Sequence, residues 1–153
     1  MVFCFDTSAI LDAWVRHYPP DVFPSIWARM DQAAISGQIF VIDEVAAELK
    51  RKDDEIYKWV VARQSMIVSI DEDVQTKLAQ LMKSFPRLVD TKKNRSGCDP
   101  WVIALAQARS FAVVTAEKPS GSLVKPKIPD VCNELAIPCL EVVQFFREQK
   151  WRV

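Results

Sequence analysis

Only three glycines, Gly37, Gly97 and Gly121, occur in 153 residues, and none follows the first apolar stretch. A dinucleotide-binding turn needs a glycine-rich segment at that point, so this class is excluded. Histidine is scarcer still, with His17 alone. The four cysteines, Cys4, Cys98, Cys132 and Cys139, form no C-x-x-C pair, so the usual zinc clusters of Cys and His cannot be assembled. They read as buried free thiols. A lone histidine also argues against Ser-His or Cys-His nucleophilic catalysis, which needs a base within reach of its nucleophile. Net charge is missing as well: 20 Lys and Arg cancel 20 Asp and Glu, and the chain has no global attraction for a polyanion. The N-terminus has neither the basic flank nor the apolar stretch of a secretory signal. The longest apolar run, residues 101–114, is broken by Gln107 and Arg109 and falls short of the roughly 20 residues a bilayer requires. A cytoplasmic protein without membrane contact is expected.

What is there suits one folded unit. Hydrophobic residues make up 50% and charged residues 26%, ordinary globular values, and 153 residues is the size of a single domain, read here as residues 1–153. A short apolar run at 3–5 stops at Asp6, and Ile10, Leu11 and Trp14 then recur at helical spacing. Pro19-Pro20 ends that helix. A second follows, with Phe23, Ile26, Trp27, Met30 and Ala34 on one side. Strands are predicted at 39–42, 66–70, 111–115 and 138–140. Helices are predicted after Asp43 and Asp53, over 71–85 and 101–109, and from 129 and 142 onward. Alternating strands and helices predict an α/β fold, a three-layer sandwich with a mostly parallel central sheet flanked by helices. Trp14, Trp27, Trp59 and Trp101 stand among apolar residues at helical spacing and read as core.

Ligand sites in open parallel sheets form beyond the carboxyl ends of the strands. There the sequence is acidic. Asp6 follows the first strand, with Ser8 two residues on; Glu44 and Glu48 lie on the helix after the second. Asp99 opens the helix before the fourth strand, and Glu117 comes just after Thr115. Each has an ordinary structural role open to it: Asp6 and Asp99 as helix caps, Glu44 and Glu48 as solvated helix positions, Glu117 as loop surface. As a set they describe clustered carboxylates. Such a cluster would be protonated unless a metal compensates, and hard oxygen ligands select Mg²⁺ or Mn²⁺. A site of that kind suits phosphodiester hydrolysis.

Four segments resemble the PIN domain, a family that includes the VapC-type ribonuclease toxins. Phe3-Cys4-Phe5-Asp6-Thr7-Ser8 looks like its opening strand and D-x-[SN] motif, and Ala47-Glu48-Leu49 like its acidic helix. Residues 99–106, DPWVIALA, are similar to the D-x-x-I-A-x-A helix, and Val113-Val114-Thr115-Ala116-Glu117 to the strand that ends in threonine two residues before an acidic or amide residue. The order is the family's, from position 3 to 117. Within the family the chain is closest to the PIN-like proteins of unknown function grouped as DUF4411.

The resemblance implies a metal-dependent endoribonuclease in which Asp6, Glu48, Asp99 and Glu117 hold Mg²⁺ or Mn²⁺ and act catalytically, with Ser8 and Thr115 as polar support. RNA is the implied substrate. It further implies the toxin of a type II toxin-antitoxin pair, a homodimer, and a proteinaceous antitoxin that blocks the site. Glu117 departs from the family, where Asp or Asn is commoner. The Lys-rich stretch beyond it is longer than in compact toxins, so Asp130 is kept as a second-rank ligand. Lys93, Arg95 and Lys118 flank the acids and could hold substrate phosphates, supplying a local field that zero net charge withholds. The competing readings are a non-catalytic PIN-fold binding or scaffold protein and a structure-specific DNA nuclease. A dehalogenase-like phosphotransfer enzyme generally wants a second acid two residues after the first, where this chain has Ser8.

Overall fold

The computed structural model describes residues 1–89 and 99–153. In chain order the elements are β1 (Phe3–Phe5), α1 (Thr7–Asp12), a π-helical turn (Ala13–His17), α2 (Pro24–Ile35), β2 (Ile39–Ile42), α3 (Asp43–Lys52) and α4 (Asp54–Val61). A 3₁₀ turn (Gln64–Met66) leads into β3 (Ile67–Val68) and α5 (Glu72–Ser84). After α6 (Asp99–Arg109) come β4 (Ala112–Val114), α7 (Ile128–Glu134), β5 (Cys139–Leu140) and α8 (Val142–Glu148). The sheet order is β3-β2-β1-β4-β5 and every pairing is parallel.

β1 is the centre of the sheet. Phe3 pairs with Ile39 on one side and Ala112 on the other, and all three β1 residues are buried. Side chains alternate across a strand, so β1 faces two layers. The Cys4 thiol points to α6, with Sγ 3.8 Å from the Val102 carbonyl oxygen. Phe3 and Phe5 point the other way and meet the Phe145 ring of α8 edge-on at 4.9 and 5.0 Å. Helices therefore cover both faces, which is why β1 and β4 contain no polar residue. Trp14, Trp27 and Trp59 form an edge-to-face cluster with ring centroids 4.7 to 6.5 Å apart, and with Trp101 they belong to the core or pack against it.

Several expectations needed adjusting. The first helix is α-helical only to Asp12, after which the chain widens into the π turn, closed by the Tyr18 amide donating to the Ala13 carbonyl at 2.7 Å. The strand expected at 66–70 is two residues long because the 3₁₀ turn takes Met66. Asp43 is the first residue of its helix rather than its cap, and Asp99 is helical and the first described residue of α6. Asp53 and Asp71 do cap: their carboxylates accept from Glu55 and Ile56 amides and from the Val74 amide respectively. Cys4 and Cys132 are buried free thiols and Cys139 is half-buried, whereas Cys98 lies outside the described residues. Among the described residues no helix is long and apolar enough to cross a membrane.

Candidate active site

The strand order reverses direction at β1, with β2 on one side and β4 on the other, and a crevice opens beyond the carboxyl ends of β1 and β4. Asp6 and Thr115 are the first residues past these two ends. Asp6 leaves the strand in extended conformation and its carboxylate caps α1, accepting from the Ala9 amide at 2.8 Å. That much is ordinary capping. The same carboxylate also accepts from Ser8 Oγ at 2.9 Å and from Thr115 Oγ1 at 2.5 Å. Both hydroxyls are themselves braced: Ser8 Oγ accepts from the Ala116 amide at 3.1 Å, and Thr115 Oγ1 from the Glu117 amide at 3.0 Å. A chain of hydrogen bonds thus ties the end of β4 to the end of β1 through one buried carboxyl.

Asp6 is only 2% exposed. Burial pushes its pKa from 3.8 up to about 7; donation from Thr115, Ala9 and Ser8 pulls it down, and the charge of Glu117 pushes it up again. Near neutrality the carboxyl is poised between its two forms. A nearby positive charge would favour the anion.

The other acids approach from three sides. Glu48 of α3 is half-buried and its Oε2 accepts from Thr7 Oγ1 at 3.3 Å, one residue from Asp6. Glu117 lies two residues beyond Thr115, and its Oε2 accepts from the Ile128 amide at 3.0 Å. Asp99, 7% exposed, opens α6. That helix precedes β4 and runs against the strands. Three helical residues from Val102, beside Cys4, back to Asp99 rise about 4.5 Å, roughly the advance of one to two strand residues from Cys4 toward Asp6. Asp6, Glu48, Asp99 and Glu117 are thus delivered to the same edge of the sheet. Glu44 is half-buried on the first turn of α3.

The donor set is all carboxylate oxygen, the chemistry that suits Mg²⁺ or Mn²⁺. As the side chains lie, however, no group of three or more His, Cys, Asp or Glu among the described residues is arranged to hold a metal ion. Two bonds account for part of this: Glu48 Oε1 is paired with Lys52 Nζ at 2.8 Å, and Glu117 is turned toward Ile128. Both are long rotatable side chains. The donors fit a hard divalent cation in kind, while Glu48 is engaged with Lys52 and Glu117 with Ile128.

Asp130 has other work. Its carboxylate accepts from the amides of Ser120, Gly121 and Lys127 and from Ser120 Oγ, pinching residues 120–127 into a closed loop. Burial alone would raise its pKa, but these donors outweigh that and hold it below the usual carboxylate value. Lys118 is exposed and pairs with Glu141. Lys93 and Arg95 lie outside the described residues. Thr7 and Lys52 touch the candidate site residue Glu48 without a role foreseen from the sequence. Lys52 was findable, since it stands four residues after Glu48 on one helix face; Thr7 had no such signal.

A family model described as "Domain of unknown function (DUF4411)" matches residues 3–153. Among solved structures, the chain is similar to one in the crystal structure of VapBC2 from Rickettsia felis bound to a DNA fragment from their promoter. That likeness has a TM-score of 0.60 and 15% sequence identity and covers 92% of this chain and 98% of that one. No curated protein matches the sequence. The structural likeness extends the α/β fold of the VapC PIN domain to this chain.

Proposed function

The chain belongs to the DUF4411 family, and from that premise we propose that it is a PIN-type, Mg²⁺- or Mn²⁺-dependent endoribonuclease acting as a single unit over residues 1–153. The observation that carries this reading is Asp6: a buried carboxyl at the switch point of the sheet, held by Thr115 and Ser8, on the edge to which Glu48, Asp99 and Glu117 are also delivered. Asp6, Glu48, Asp99 and Glu117 would hold the cation. When bound, it would supply Lewis acidity toward a phosphodiester and compensate the acids. The chain's own part is orientation. Thr115 and Ser8 fix the Asp6 carboxylate and favour its ionised form, while Lys118 supplies a positive charge for substrate phosphates beside Glu117.

Membership of a toxin-antitoxin pair belongs to the same proposal and is supported by the likeness to the VapBC2 structure. It carries with it a homodimer, a protein antitoxin and a cytoplasmic setting. The rival reading is a non-catalytic binding protein, favoured by the Glu48–Lys52 pair and the Glu117–Ile128 bond, which engage two of the four acids.

Incubation of structured and single-stranded RNA, with DNA alongside, in Mg²⁺, Mn²⁺ or EDTA decides between them. RNA cleavage is expected with either ion and none with EDTA, and Asp99→Asn should lower the rate by about 10³-fold, a loss typical of removing a key electrostatic group. Folded protein that cuts nothing with either ion would favour the binding module, and cleavage confined to DNA would replace the substrate class. Thr115→Val should be milder. It removes one hydrogen bond to a charged group, worth about 1.5–3 kcal/mol, so kcat should fall about 10- to 100-fold. Loss of that donor also raises the Asp6 pKa further, so the alkaline-going rise of the pH–rate profile should move to higher pH. An unchanged profile would separate Thr115 from the Asp6 titration.

A further inference from the structure

Thr115 has a second neighbour besides Asp6. On its other side a cleft of about 320 Å³ opens, bordered by the π turn and by the residues around the start of α8. That volume is in the range of small-molecule sites, roughly 300–1,000 Å³. We propose that this cleft is a nucleotide subsite that seats the unit next to the phosphate to be cut and selects a base bearing an exocyclic amino group. The proposal rests on the nuclease reading for its place beside the cut.

Three features of the walls support it. Thr115 and Ala116 are common to the cleft and to the Asp6 hydrogen-bond chain, so a ligand here abuts the acidic edge. Next, His17 and Tyr18 reach the cleft from the π turn, a rare element that concentrates at functional sites. Tyr18 is rigidly held. Its ring meets Phe23 and Phe146 edge-on at 5.6 and 5.1 Å, and its carbonyl accepts from Trp27 Nε1 at 2.6 Å. With the apolar Val142 and Val143, this aromatic gives the cleft an apolar lining suited to a planar base.

Lastly, the polar groups are of the two kinds a nucleotide needs. Lys118 and His17 offer donors to phosphate, while the Glu141 and Asp12 carboxylates only accept. A carboxylate can accept from the amino groups of guanine, adenine or cytosine; uracil has no amino group, and its single N3–H donor is flanked by two carbonyl oxygens that a carboxylate repels. Lys118 and Glu141 are paired to each other across an exposed surface, a weak link that a strand could part without much cost.

The test uses the whole protein and a single-stranded RNA of random sequence. Product ends are sequenced after cleavage in Mn²⁺, and binding of fluorescein-labelled hexanucleotides is followed by anisotropy in EDTA. Wild type should disfavour uridine at one position flanking the cut, and Glu141→Gln, which keeps side-chain length and adds a donor, should erase that bias. The double variant H17A/K118A and the cleft-filling Val143→Trp should each weaken hexanucleotide binding by about 10-fold, with the fold checked by circular dichroism. Product ends and binding unchanged in all three variants would overturn the subsite, as would wild type that binds no strand. Binding that responds to the variants in a protein that never cleaves would keep the subsite and remove the nuclease.

Discussion

Replacing Asp6 with asparagine is expected to reduce RNA cleavage by about 10³-fold or more and, at the same time, to make the metal-free protein more stable above neutral pH. The two effects have one cause. In the folded protein the Asp6 carboxyl titrates near 7 because it is buried, against 3.8 for an ordinary aspartate. Between those values the folded chain keeps a proton that the unfolded chain has released. Stability from this group is therefore complete below about pH 4, declines as pH rises, and is fully lost above about 7, a difference of up to about 4 kcal/mol. Asparagine stays neutral and can still accept from Ala9. Thermal melts of both proteins in EDTA from pH 3.5 to 8.5 should lie closest together at the acid end and diverge upward, with the variant melting higher. Mn²⁺ should raise the wild-type midpoint and leave that of the variant nearly unchanged. Parallel curves would mean that Asp6 is solvated; undiminished cleavage by the variant would remove the metal-site reading.

The second large effect is on stability alone. Phe145→Ala should cost about 3–5 kcal/mol, the usual range for a fully buried aromatic truncated to alanine. Phe145 is 0% exposed and meets Phe3, Phe5 and Trp151 edge-on and Phe146 at 6.0 Å, so the cavity would be lined by rings that cannot all close in. Urea unfolding measures it. A loss under 1 kcal/mol would show that α8 is not a true third layer on β1. Because Phe3 and Phe5 carry the strand that ends at Asp6, the variant should also lose activity at temperatures where most of it is still folded.

The strands at 3–5 and 39–42 and the helix cap Asp53 were legible in the sequence because their signals are local: an apolar run ending at a polar residue, or a carboxylate two or three residues before the amides it serves; Asp71, read as part of the helix over 71–85, is its cap instead. The π turn was not legible. Ile10, Leu11 and Trp14 recur as they would in an α-helix, and a widening by one residue leaves no trace in that period. The arrangement of the site divides in the same way. Positions after strands or at a helix start brought Asp6, Glu44, Glu48, Asp99 and Glu117 forward, and the family resemblance narrowed them to Asp6, Glu48, Asp99 and Glu117. Where their oxygens point is another matter. The Glu48–Lys52 pair was available from i,i+4 spacing, but the bond from the Ile128 amide to Glu117 depends on how the loop folds back, which no local pattern encodes. Asp130 shows the same limit: its sequence neighbourhood offers an acid near a basic loop, and the fold spends that acid on closing the loop.

The bond from Thr115 to Asp6 joins residues 109 apart in the chain. During synthesis at about 5–20 residues per second, several seconds separate the two. A nascent chain that has delivered β1 but not β4 has an open sheet edge and an Asp6 with nothing from β4 to orient it. Assembly of the acidic edge must wait for the central strand to gain its second neighbour, a non-local pairing of the kind that folds late. On the ribonuclease reading proposed above, a chain active while still emerging from a ribosome would endanger its own message, and this topology keeps the acidic edge unassembled until most of the chain has been made.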